Sequence, residues 1–142
     1  MLISTRGRYA LRVIIDLTEN DTGGYIPMKD VAARQEISLK YLEQILPILT
    51  KNGIVEAVHG KNGGYKFLKD PSVCSVWDIL SLTEGDLAPV SCLIEGAPPC
   101  EKSVECRTLK MWKGLNDAVS TYLKSVKISD LTKNTNADLY VI

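Results

Sequence analysis

Residues 28–68 read MKDVAARQEISLKYLEQILPILTKNGIVEAVHGKNGGYKFL, and the order of elements in this stretch decides the fold. Pro27 suits the start of a short helix, Met28 to Gln35, with Val31 and Ala32 on its inner face. A break at Glu36-Ile37-Ser38 follows. Ser38 is a good N-cap for a further helix through Asn52, closed by Gly53 at the C′ position. Leu39, Leu42, Ile45, Leu46 and Leu49 give that helix an apolar stripe. Ile54 to His59 alternates like a strand, Gly60-Lys61-Asn62-Gly63-Gly64 is a tight-turn sequence, and Tyr65 to Leu68 reads as the returning strand. Two residues strain the pattern. Glu36 stands in the tight turn where glycine would be easier, at roughly 1 kcal/mol if its backbone is left-handed. Pro47 frees the carbonyl of Glu43 and predicts a kink inside the second helix.

Upstream, Thr5 to Glu19 carries Tyr9, Ala10, Val13, Ile14 and Leu17 at helical spacing and ends at the turn cluster Asn20-Asp21-Thr22-Gly23-Gly24. Helix, helix, short turn, helix and a glycine-tipped hairpin is the order of a winged helix-turn-helix. Downstream, a helix is expected from Ser75 to Thr83. Gly85, Pro89, Gly96, Pro98 and Pro99 then deny a helix to residues 85–105. Thr108 to Val126 returns to helical spacing, with Leu109, Trp112, Leu115, Val119, Tyr122, Leu123 and Val126 on one stripe. That stripe pairs with a second subunit or folds back on its own domain, and dimerisation is the favoured reading. The tail from Thr132 to Asp138 reads as loose. The expected class is mainly α with a small β-hairpin wing, a winged helix-turn-helix plus a long C-terminal dimerisation helix. The expected division is a DNA-binding unit over 1–70, a linker helix and cysteine-bearing sensor loop over 71–107, and a dimerisation helix with tail over 108–142.

The 142-residue composition is that of an ordinary soluble chain, 45% apolar and 24% charged, with no net charge. No apolar run reaches the ~20 residues of a membrane span. The N-terminus lacks a signal-peptide core, so a cytoplasmic protein with reduced thiols is expected. Charge is uneven. Residues 1–69 hold ten Lys/Arg against seven Asp/Glu, and residues 70–142 hold seven against ten. A basic first half suits nucleic acid, although three charges are a weak signal.

In this geometry the N-terminal residues of the helix after Ser38 meet base edges. Those residues are Ser38, Lys40, Tyr41, Glu43 and Gln44. Gln44 can pair with adenine, Glu43 can accept from cytosine, and Lys40 suits guanine or phosphate. Ser38 cannot both cap the helix and read a base. Arg6 and Arg8 fit phosphate contacts at the start of the first helix, and His59, Lys61 and Asn62 flank the wing glycines. Each alone is an ordinary solvated residue; the set on one face makes the DNA reading. One histidine, no nucleophile–base motif and no phosphate-binding glycine loop argue against an enzyme.

Cys92, Cys100 and Cys106 lie in the irregular loop with the spacing C-x7-C-x5-C. This is not the paired rhythm of zinc ribbons. Thiolates suit iron–sulfur clusters and other soft metals, and by spacing alone metal ligation and free surface thiols stand as alternatives. Cys74 reads as a small packed residue.

The strings STRGRYALR (4–12), ISLKYLEQ (37–44), KNGIVEAVHGKNGGY (51–65) and the cysteine loop followed by MWKGL (111–115) together resemble the Rrf-type regulators, closely over 1–70 and more loosely to about 131. The resemblance implies a dimeric winged-helix repressor or activator on a double-stranded DNA operator, with the long C-terminal helix crossing to the partner subunit. Its cysteine-bearing, IscR-like members carry an iron–sulfur cluster, which implies ligation by Cys92, Cys100 and Cys106 and control of cluster-assembly or sulfur-metabolism genes. The pattern departs at the fourth ligand. The histidine that IscR-like proteins place three residues after the third cysteine is Leu109 here, and the aspartate that NsrR-like proteins use is Arg8. Glu43, Glu101 and Glu105 are the candidates left. The chain also ends Leu139-Tyr140-Val141-Ile142, similar to CymR-like members. That resemblance implies an alternative, a regulator of cysteine metabolism read through insertion of the Ile142 carboxylate into cysteine synthase (O-acetylserine sulfhydrylase).

Overall fold

A computed structural model describes residues 2–98, 101–102 and 104–133. Helix α1 spans Thr5–Glu19, and its N-cap Ser4 accepts from the Gly7 amide at 3.0 Å. Its Ala10, Val13, Ile14 and Leu17 form one wall of the core. Helix α2 spans Met28–Gln35 and stops at Glu36, which adopts φ 55°, ψ 43°. The left-handed turn expected at Glu36 is therefore present without a glycine. Helix α3 spans Leu39–Lys51; the Ser38 hydroxyl caps it by accepting from the Tyr41 amide at 3.1 Å, and Gly53 beyond its end takes φ 70°. The helix runs through Pro47 unbroken. Leu42, Ile45, Leu46 and Leu49 close the core against α1 and Val31 of α2.

Strands β1 (Val55–Val58) and β2 (Gly64–Phe67) form an antiparallel wing in the register Val55 to Phe67 and Ala57 to Tyr65. Ile26 extends the sheet by exchanging two backbone hydrogen bonds with Tyr65, at 2.9 and 2.8 Å. Gly63 and Gly64 permit this crowding. A Cβ on Gly63 would lie 2.2 Å from the Val58 carbonyl oxygen, and one on Gly64 would lie 2.4 Å from the Ile26 carbonyl. At the tip Asn62 is left-handed, φ 68°, a conformation asparagine tolerates better than most residues.

Helix α4, Val76–Glu84, starts with a capping box between Ser75 and Asp78. Helix α5, Leu109–Ser125, returns along it. The C-terminal part of α5 packs on α4 through Leu123, Val126 and Trp77, with Lys124 Nζ 5.0 Å from the Trp77 ring centre. A short 3-10 turn at Ile128–Leu131, not foreseen from the sequence, puts Ile128 fully into the main core. Of the tail expected to be loose from Thr132 to Asp138, Thr132 and Lys133 are anchored and residues 134–138 lie outside the described residues. Thr132 is buried, and the Lys133 amide donates to Glu19 Oε2 at 2.7 Å.

Candidate nucleic-acid interface and cysteine loop

The head of the molecule is held by a polar network that the sequence pattern does not reveal. Asp16 is 1% exposed on the apolar face of α1. Arg34 of α2 grips it, Nη2 at 2.7 Å from Oδ1 and Nε at 3.0 Å from Oδ2, and Gln35 Nε2 donates to Oδ2 at 2.9 Å. The carboxylate in turn raises the Arg34 pKa. Arg12 donates to the Gln35 side chain and to its backbone carbonyl. The Arg12 guanidinium also stacks 5.2 Å from the Tyr9 ring centre, and Tyr9 meets Tyr41 of α3 edge to face at 5.3 Å. A buried carboxylate with this many donors is fully compensated, and no buried side-chain polar atom among the described residues lacks a partner. Asp16 interrupting the apolar stripe of α1 marks one member of the network in the sequence, but its partner Arg34 lies on the next helix with no spacing that links the two.

This frame presents Ser38, Lys40, Glu43 and Gln44 of α3, all exposed, and Tyr41, half-buried. The side chains of Lys40, Glu43, Gln44, His59, Lys61 and Asn62 form no hydrogen bond or ion pair among the described residues. Glu43, Pro47 and Thr50 of α3 and His59 and Tyr65 of the wing line one cleft of about 250 Å³, so α3 and the wing border a common hollow. Arg8 is exposed and donates to the Thr5 hydroxyl at 2.8 Å. Arg6 is also exposed, but its Nη2 donates to the Thr83 carbonyl of α4 at 2.8 Å.

The cysteines separate into two environments. Cys74 is buried in the main core, and desolvation, with Asp78 nearby, pushes its thiol up to about 11. Cys92 and Cys106 are free and exposed in the segment between α4 and α5. The hydroxyl and backbone of Thr108 hold the Cys106 thiol below its ordinary pKa, with Sγ 3.5 Å from Thr108 Oγ1. Cys100 lies outside the described residues, as does Ile142. Among the described residues no group of three metal-ligating side chains is gathered. No helix among them is long and apolar enough to cross a membrane.

Residues 3–134 match the family model for Rrf2, described as an iron-dependent transcriptional regulator. This chain belongs to the Rrf2 family. It is 34% identical to the HTH-type transcriptional regulator IscR of Escherichia coli K12 over 134 residues, covering 94% of this chain and 82% of that protein. Among solved structures it is similar to CymR, the global cysteine regulator of B. subtilis, with a TM-score of 0.76 and 31% identity over 96% of this chain and 99% of that one. It is similar also to T. potens IscR, with a TM-score of 0.70 and 29% identity over 92% of this chain and 85% of that one. Rrf2 proteins are transcriptional regulators rather than enzymes, and the hairpin after α3 is the wing of their winged helix.

Proposed function

We propose that this Rrf2 regulator is a homodimer that reads duplex DNA with α3 and the wing, and senses through an iron–sulfur cluster on its cysteine loop. The observation that carries the reading is the segregation of the chain into a cross-braced head with a free polar face and a separate loop with exposed thiols. In the head, Gln44, Glu43 and Lys40 are the base-reading candidates. Arg6, Arg8, Lys61, Asn62 and His59 serve the backbone and minor groove, Tyr41 is braced by Tyr9, and Ser38 caps the helix that carries them. Arg6 keeps further guanidinium donors beyond the one given to Thr83. The division into 1–70, 71–107 and 108–142 follows the same segregation.

The donor set of the loop fits the cluster. Cys92 and Cys106 are accessible and soft, and Cys106 is biased toward the thiolate that ligation needs. With Cys100 they would hold it, and bound there the cluster supplies an oxidant-sensitive iron centre. Glu101 and Glu105 flank the thiols in sequence. A fourth ligand at Glu43 would instead tie occupancy directly to base reading. The exposed residues Met111, Leu115 and Tyr122 of α5, at 52%, 41% and 66%, support pairing of that helix with a second copy.

The test is an absorption spectrum after anaerobic reconstitution, with iron and sulfide counted. A sulfur-to-iron charge-transfer band, lost in Cys100→Ala, is the expected result. A colourless protein that still binds DNA overturns the cluster and favours a second reading, a regulator of cysteine metabolism sensed through cysteine synthase. That reading is supported by the 99% coverage of the B. subtilis cysteine regulator. Retained synthase binding after deletion of Ile142 would dismiss it.

A further inference from the structure

Two helix ends meet at the point where the cysteine loop begins. Helix α4 ends at Glu84, and Gly85, at φ 75°, turns the chain into the loop. Eighty residues earlier, Ser4 opens α1. The backbone N–H and the hydroxyl of Ser4 both donate to Glu84 Oε1, at 3.0 and 2.7 Å, and Ser4 Oγ accepts from Gly7 N–H at 3.0 Å. In the opposite direction Arg6 of α1 donates to the Thr83 carbonyl in the last turn of α4 at 2.8 Å. A helix begins at its positive end and finishes at its negative end. Here α4 lends a carboxylate to the start of α1, and α1 lends a guanidinium to the end of α4. The joint is tight. A Cβ on buried Gly7 would lie 2.2 Å from Glu84 Oε1, 3.0 Å from Thr83 Oγ1 and 3.1 Å from Leu80 Cδ2.

We infer that Glu84 is a positioning residue that fastens the base of the cysteine loop to the first turn of α1. From there the Tyr9–Tyr41 contact carries the orientation of α1 to α3, and the Arg12–Gln35 contact carries it to the end of α2, just before the turn into α3. A displacement of the loop is thereby delivered to the DNA face through the Glu84 carboxylate, alongside the Arg6 contact to the Thr83 carbonyl. The coupling half of this inference rests on the cysteine loop being the sensor; the positioning half does not.

The experiment uses the full chain and a duplex that the protein itself enriches from a random 24-base-pair pool. Glu84→Ala removes the shared acceptor, whereas Glu84→Gln keeps an oxygen that can accept from Ser4. Glu84→Ala is expected to weaken DNA binding roughly tenfold and Glu84→Gln by less than about twofold. Amide exchange at Ser4 and Gly7 should rise about tenfold in Glu84→Ala and stay unchanged at Leu42 and Ile45. A rise spread evenly over the head would mean simple destabilisation and would overturn the proposal. So would equal affinity of all three proteins. Gly7→Ala should cost less on top of Glu84→Ala than in the wild-type chain, because the clashing carboxylate is gone. For coupling, reconstituted and cluster-free proteins are compared. The affinity difference between them in the wild type should shrink to less than about twofold in Glu84→Ala while the charge-transfer band persists. A retained difference overturns the coupling. If the wild type shows no band, it is the sensing reading that fails, and the Glu84→Gln and exchange results still decide the positioning role.

Discussion

The 13-residue α3 buries Leu42, Ile45, Leu46 and Leu49, whereas the 17-residue α5 buries none of its side chains fully. Both carry an apolar stripe at helical spacing. Apart from Leu39, which is exposed at the first turn, the stripe of α3 is enclosed by α1, α2 and the first strand of the wing, within one chain. Among the described residues the stripe of α5 joins a buried cluster at its C-terminal end, where Leu123 and Val126 reach α4, and it leaves Met111, Leu115 and Tyr122 outward. Periodicity thus states that a face is apolar, not what covers it. The answer lies in how many other elements the connecting loops bring within reach.

Mutation separates the two helices. Leu49→Ala should lower unfolding free energy by about 3 kcal/mol in urea titrations, at any protein concentration. The paired change Leu115→Asp with Tyr122→Asp should leave far-ultraviolet dichroism intact and reduce the sedimenting mass from two chains to one. A wild-type protein that sediments as a single chain would break the comparison. The polar brace behind α3 belongs to the same contrast. Arg34→Ala leaves the buried Asp16 carboxylate with Gln35 alone and should cost about 2 kcal/mol, below the usual cost of orphaning a charge because the guanidinium is 39% exposed. On the outer face of α3, Gln44→Ala should weaken DNA binding about tenfold and relax preference at one base position. Lys61→Ala should instead weaken all sequences alike and reduce the log–log salt slope by about 0.9.

The smallest effect concerns Cys74, set against the loop thiols. Its folded pKa of about 11 lies above the ordinary 9.0, so the folded thiol keeps a proton that the unfolded chain has lost between those values. The stability it contributes is full below about pH 9 and declines relative to the unfolded thiolate as pH rises toward 11. The melting-temperature gap between wild type and Cys74→Ala should therefore narrow across that window in calorimetry. At neutral pH, iodoacetamide should modify Cys92 and Cys106 and spare Cys74, read by peptide mass.

The sequence places α1, α2 and α3 within a residue of their observed bounds, because each has an apolar face and a start or stop signal close together in the chain. The Ser38 cap, the left-handed Glu36 and the Gly60–Gly64 turn are local signals of that kind. What escaped depends on distant partners. Ile128 looks like an isolated apolar residue beyond a helix and becomes core only when the chain returns to Cys74, whose carbonyl accepts from its amide at 2.9 Å. Glu84 and Ser4, 80 residues apart, carry no sequence signal of their pairing and meet when α4 folds onto α1. Arg6 reads as a phosphate contact and also closes the end of α4. The interface candidates were legible as a set because the motif orders them; the brace formed by Asp16, Arg34, Gln35 and Arg12 was not, since no spacing rule links a carboxylate on one helix to donors on the next.

The crowding at Gly63 and Gly64 has a consequence for how such a protein can change. Any side chain at either position collides with backbone, of Val58 or of Ile26, so neither can drift without rebuilding the wing. His59, Lys61 and Asn62 beside them are exposed, and their side chains form no hydrogen bond or ion pair among the described residues. The tip therefore behaves as a cassette on a fixed mount: His59 and Lys61 can vary at little cost in folding, and with them whatever the proposed DNA contact reads there, whereas left-handed Asn62 is confined to residues that tolerate its φ of 68°.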